Sequence, residues 1–168
     1  MVYLHENREE FTNAVNLASE YFHILLIIAE KAPEALENFG LEPFEMKVQG
    51  LDRTLADRVF AICDYYMQDR VKKHSRHIYD IYKLLQIVPQ TDEFKALVKD
   101  VRSVRAMTNI CPSAQLDVNV PEMLNFLIEN EVYKEDYENI TARILEDGLS
   151  YDVAIEAIKK IAESGMFE

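Results

Sequence analysis

The chain has 168 residues, a formal charge of −12, a hydrophobic fraction of 49% and only 4 Gly and 5 Pro. That is the make-up of one globular, helix-leaning domain, in which roughly 70% of the unfolded surface can be buried, and it excludes a disordered or disulfide-stapled chain. The apolar run Ile24–Ala29 is too short to span a bilayer, and the opening "MVYLHENREEF" has no secretory pattern, so no membrane contact and a cytoplasmic location are expected.

In chain order, Phe11, Val15, Ala18, Phe22, Leu25 and Ala29 recur every three or four residues, which predicts a long helix from about Glu6 to Lys31, ended by Pro33. Its second half, Ile24–Ile28, is apolar on every side and must be covered on every side. A short helix follows at 34–38, stopping at Gly40. "FEMKVQ", residues 44–49, alternates apolar and polar and predicts a single short strand without a partner.

Asp52 or Thr54 is expected to cap a helix to about Gln68, with Leu55, Val59, Ile62 and Tyr66 inward. The next runs from about Lys73 to Ile87 and buries Ile78, Ile81, Tyr82 and Leu85. Thr91 or Asp92 starts a helix striped by Phe94, Leu97, Val101 and Val104. "NICPSAQLDVNV" reads as a loop, and Asn119 with Pro121 opens a helix ending near Asn130. "YKEDYENITARILED" reads as a helix closed by Gly148, and Ser150 caps a last one carrying Val153, Ala157, Ile158 and Ile161 and closed by Gly165. The fold class is therefore mainly α: a single helical domain over 1–168, made of a long N-terminal helix (1–32), a connector holding the strand (33–50) and a helical part (51–168).

Cys63 and Cys111 have no CxxC spacing and read as buried free thiols. The charge is uneven. Four of the 18 Lys and Arg residues fall between Arg70 and Arg76, and Lys99, Arg102 and Arg105 follow at one-turn spacing. Lys72, Lys73, His77, Lys99, Arg102 and Arg105 are thus candidate binding residues for phosphate, with a salt-bridged solvated face as the commoner alternative. Arg76 and Asp80 are i,i+4 neighbours, which an ordinary intrahelical ion pair also explains. His74, His77 and Asp80 recur every three residues but drift around a helix, and no fourth ligand is signalled, so no metal site is expected. No Ser/His/Asp spacing, Walker loop or GxGxxG is present.

"LEPFEMKVQGLDRTLADRVFAICDYYMQDRVKKHSRHIYDIYKLL", residues 41–85, adds a resemblance. It resembles the C-terminal half of AbiEii-type nucleotidyltransferases, the toxin family of type IV toxin–antitoxin systems, in which an "RTxxDKxFAxxDYY" helix is followed by an "RDxYD"-like helix. "YKEDYENIT" continues the resemblance, and "YLHENREEFTNAVNLASEYF" is similar to the family's N-terminal helix. The resemblance implies that Arg58, Arg76 and Asp80 are family active-site positions, with Arg58 in place of the usual Lys and His77 in place of an acidic residue. It also implies a glycine turn and a D-x-D pair that hold Mg²⁺ and a nucleoside triphosphate, and neither occurs in this chain.

The expectation is a helical remnant of such a transferase, without activity of its own, so that Mg²⁺ and NTP enter only if activity is retained within an assembly. A binding module for RNA, a nucleotide or an antitoxin protein through the basic middle is the alternative. Ile24–Ile28 and Phe44–Val48 together suggest a homodimer. Burying about 400 Å² of apolar surface per chain would contribute on the order of 10 kcal/mol before association costs.

Overall fold

The computed structural model describes residue 27, residues 30 and 31, residues 33–39 and residues 49–168. The chain divides into two compact units, Met1–Lys47 and Val48–Glu168. In the first, Ile27, Glu30 and Lys31 are helical, Ile27 is 42% exposed, and α1 spans Pro33–Phe39. It begins one residue earlier than expected, because the fixed φ of proline suits the first turn of a helix. The remainder of the expected N-terminal helix lies outside the described residues, as does the rest of the apolar run Ile24–Ile28. No strand occurs among the described residues. Phe44–Val48 lies outside them and Gln49 is in no regular element, so the isolated strand is not borne out.

The second unit is all helix and loop. α2 (Leu51–Met67) is its axis. Leu55, Ala56, Val59, Phe60, Ile62 and Cys63 on it are fully buried, which requires neighbours on several sides. Those are α3 (Arg76–Leu85), α4 (Asp92–Ala106), a 3₁₀ turn at Pro112–Ala114 and α5 (Val120–Glu129). α6 is composite: Lys134–Asp136, a π-helical turn Tyr137–Thr141 and Ala142–Ile144. α7 (Tyr151–Glu163) packs on α3 and α5. Tyr133 is buried, and its hydroxyl donates to the carbonyl of Ile62 at 2.6 Å, which joins α6 to the axis without an unpaired polar atom.

Several starts and stops differ from the expectation. α2 starts at Leu51 after Gly50; Thr54 is inside the helix, and its hydroxyl donates to the Gly50 carbonyl at 2.9 Å instead of capping. α3 starts at Arg76, three residues late, since Lys73 is left-handed at φ 70°. Its buried face includes Tyr79 and Leu84, while Tyr82 and Leu85 are half-buried. Val98 is buried on α4 and Val104 is exposed, and Val153 on α7 is exposed as well. α6 ends at Ile144, before Gly148, because Leu145 turns extended.

Two caps behave as expected: Thr91 accepts from the Phe94 N–H, and Asn119 from the Glu122 N–H. Ser150 stands at the N-cap of α7 but makes no side-chain cap bond. α2 closes with Asp69 at φ 55°, where Arg70 N–H donates to the Tyr65 carbonyl and Asp69 N–H to that of Tyr66. Glu131 closes α5 in the same way at φ 48°. Both are Schellman endings built without glycine. Cys63 and Cys111 are free thiols; Cys63 is buried, and burial pushes its pKa up, whereas Cys111 is only half-buried. No helix among the described residues is long and apolar enough to cross a membrane.

Candidate functional site

α2 and α3 pack side by side, and this brings together residues that are 12 to 22 positions apart in sequence. Arg58 and Tyr65 come from α2, and His77 and Asp80 from the first turns of α3. Arg58 Nε lies 3.2 Å from Asp80 Oδ2, and His77 Nδ1 lies 3.7 Å from the same oxygen. The first contact is an ion pair lacking hydrogen-bond geometry, and the second is too long for a hydrogen bond. Arg58 Nε, Asp80 Oδ2 and both His77 nitrogens are therefore buried polar atoms without a hydrogen-bond partner. Native structures rarely tolerate such groups, and their convergence on one carboxylate makes this the candidate site among the described residues.

Three parallel rings wall the cluster. Tyr65 stacks on His74 with centroids 3.6 Å apart and lies parallel to His77 at 5.5 Å. His74 is therefore not a third helical ligand beside His77 and Asp80, since it precedes α3 and is taken up by the tyrosine. His77 is 2% exposed. Burial lowers its pKa below the ordinary histidine value; Asp80 pulls it upward, and the Arg58 and Arg76 charges press it down again. His74 is lowered too, by burial first and then by His77 and the arginines around it.

A pH dependence follows from His77. Its folded pKa lies below 6.5, its ordinary value, so the imidazole is neutral in the fold while the unfolded chain takes up a proton. The stabilisation is complete above pH 6.5 and is lost as the pH falls through that value toward the folded pKa. The slope is at most about 1.4 kcal/mol per pH unit. Urea unfolding of the wild type and of His77→Gln at a series of pH values from neutral to mildly acidic should give curves that converge on acidification. Parallel curves would refute the assignment.

The expected basic set is not one patch. Arg58 is inside the cluster, and Arg76, half-buried, opens α3 beside it. Lys72 and Lys73 are exposed on the loop before α3, together with Arg70, and Lys99 is exposed on α4. Arg102 donates to the carbonyls of Ala114 at 3.2 Å, Gln115 at 2.8 Å and Val118 at 2.6 Å, stapling the loop behind the 3₁₀ turn. Arg105 bonds Asp57 at 2.9 Å and Asp64 at 2.7 Å. The fold itself takes up both guanidinium groups.

The metal centre implied by the resemblance has no donor set in this cluster. Among the described residues no group of three or more His, Cys, Asp and Glu side chains is placed to hold a metal ion. The one carboxylate present is shared with an arginine and faced by a histidine, a poor match to a hard cation that prefers several oxygens. The residues of the cluster do not fit such an ion. Sequence reasoning missed Tyr65, Ser75, Asp136 and Thr141. A stacking tyrosine inside an amphipathic helix carries no local signal, and the other three act across more than 60 residues.

A curated protein described as "Putative ankyrin repeat protein L768", from Acanthamoeba polyphaga mimivirus, is 25% identical over 164 residues, covering 92% of this chain. The chain spans about a quarter of the length of that relative. No solved structure matches. The model of a family described as "Nucleotidyl transferase AbiEii toxin, Type IV TA system" matches residues 27–162, which takes in α2, α3 and every residue of the cluster. The chain belongs to the AbiEii nucleotidyl transferase toxin family of type IV toxin–antitoxin systems.

Proposed function

We propose that this chain is the helical, substrate-facing half of an AbiEii-type nucleotidyltransferase, and that it transfers no nucleotide by itself. The observation that carries the reading is the cluster of Arg58, His77 and Asp80. These family-motif positions meet at one buried carboxylate oxygen with their polar capacity unmet. Such a cluster suits phosphate contact through Arg58 and acceptance of a hydroxyl hydrogen bond by Asp80 when a core bearing metal-binding carboxylates faces it. The chain contains no glycine turn feeding a D-x-D pair, so that core has to come from elsewhere. A family of toxins paired with antitoxins makes an antitoxin protein a partner in this reading.

The second reading is a binding module for RNA, a nucleotide or an acidic antitoxin face. It is favoured by Arg70, Lys72 and Lys73, all exposed on the loop that leads into the cluster. One experiment addresses both. The pure chain is incubated with labelled nucleoside triphosphates, Mg²⁺ or Mn²⁺ and bulk tRNA, and retention of tRNA is measured at low and high salt. The expected result is no label transfer. Transfer by the chain alone that Asp80→Asn abolishes would overturn the first reading. Retention at low salt that fades steeply as salt rises supports the second, because it would rest on phosphate neutralisation. Absent retention, or retention indifferent to salt, removes the electrostatic version.

A further inference from the structure

The loop between α2 and α3 is held from a distant part of the chain. Lys73 has φ 70°, a left-handed conformation uncommon outside glycine. The Asp136 carboxylate accepts the Lys73 N–H at 2.8 Å through Oδ1 and the Ser75 N–H at 3.2 Å through Oδ2. Ser75 is fully buried, and its hydroxyl lies 2.7 Å from Thr141 Oγ1. Asp136 and Thr141 are five residues apart. On a regular helix of about 3.6 residues per turn, five steps carry a side chain well round to another face. In the π-helical turn Tyr137–Thr141 the bonds run from i to i+5, and that wider turn sets one residue above the other. The two side chains thus reach the same point, the residue before Arg76. π-turns of this kind occur frequently at functional sites.

We infer that Asp136 and Thr141 are positioning residues for the Arg58–His77–Asp80 cluster. By fixing Lys73 to Ser75 they set where α3 begins, so that the His74 ring lies on Tyr65 and His77 and Asp80 face Arg58. The inference rests on the reading of that cluster as substrate-facing. Asp136 accepts from the backbone just before α3, at Lys73 and Ser75, where Ser75 makes no side-chain cap bond of its own. An untethered first turn would let the helix start slide, and Asp80, one turn on from Arg76, would leave Arg58.

Removing a carboxylate that only stabilised the fold would lower the melting temperature and nothing else. Histidine titration separates the two roles. The chain has four histidines, so His74→Gln and His77→Gln suffice to assign the relevant ring resonances by NMR. His77 is faced by Arg58 and Tyr65 from α2, by His74 from the loop and by Arg76 and Asp80 on its own helix; His74 also feels Arg70 and Asp136. Titrations of the full chain, together with thermal unfolding and ATP binding, are recorded for the wild type, Asp136→Ala and Asp136→Asn.

In Asp136→Ala the His77 titration should rise toward 6.5, as water reaches a ring no longer packed against Tyr65 and Asp80. Asp136→Asn, which keeps one acceptor oxygen, should fall between. A folded Asp136→Ala with a lower melting temperature but unchanged His74 and His77 titrations overturns the inference. Should Asp136→Ala fail to fold, Ser75→Ala with Thr141→Val removes the buried hydroxyl pair and leaves both Asp136 bonds. It should shift His77 in the same direction by less, and no shift there overturns the inference equally. If the titrations move as expected while neither wild type nor variants bind ATP, the positioning role stands and the substrate-facing reading fails.

Discussion

Arg105→Ala should lower the unfolding free energy by about 3–5 kcal/mol, the range for removing one partner of a buried ion pair. Arg105 divides its guanidinium between Asp57 and Asp64. Asp64 is 5% exposed, and its second oxygen already accepts the Ser113 N–H at 2.8 Å. Ser113 is buried in turn, and its hydroxyl donates to the Phe60 carbonyl at 3.1 Å. Alanine at 105 leaves the Asp64 charge without its cation in the layer between α2, α4 and the 3₁₀ turn. Pairing Arg105→Met with Asp64→Asn keeps the acceptor for Ser113 and removes the charge, so the double variant should regain most of the loss. Urea unfolding of the two single variants and the double one is the measurement. A cost under about 1 kcal/mol for Arg105→Ala would show an ordinary surface pair and would return Arg105 to the candidate binding residues.

Phe60→Ala should cost about 3–5 kcal/mol, and Phe167→Ala nearly as much, since both rings are buried and their loss leaves a cavity in the core. The Phe60 and Phe167 rings meet edge to face with centroids 5.6 Å apart, and Phe94 meets Phe167 at 6.3 Å. Phe167 reaches this layer because Gly165, at φ 69°, turns the chain back after α7. The double variant should therefore be less damaging than the two losses added, by about 0.5–1.5 kcal/mol, the range for an aromatic pair beyond its area. Each single variant should melt on the order of 10 °C lower. A Phe167→Ala within about 0.5 kcal/mol of wild type, as for a surface change, would place that ring outside the core.

The helices of the second unit were legible wherever burial follows a local period. Leu55, Val59 and Ile62 on α2, Phe94 and Val101 on α4, and Ala157, Ile158 and Ile161 on α7 recur at helical spacing and are buried. Thr91 and Asn119 were readable as caps because each satisfies an N–H three residues on. The candidate site was legible only as a motif. Arg58 and Asp80 could be named from resemblance, but nothing in either stretch says that the two side chains meet.

Most of the unreadable features depend on partners far along the chain. The helix ends at Asp69 and Glu131 lack the glycine that marks such a stop; both residues are exposed and left-handed, and backbone bonds to their own helices close them. α3 begins at Arg76, and not at Lys73, because Asp136 captures the intervening N–H groups from 61 to 63 residues away. Lys99, Arg102 and Arg105 look alike at one-turn spacing, yet one is exposed, one staples a loop and one neutralises a buried carboxylate. Periodicity and capping are satisfied within a few residues and so are written locally. The environment of a charge, and the start of a helix tethered from elsewhere, depend on which segments pack together, and that exists only once the chain has folded.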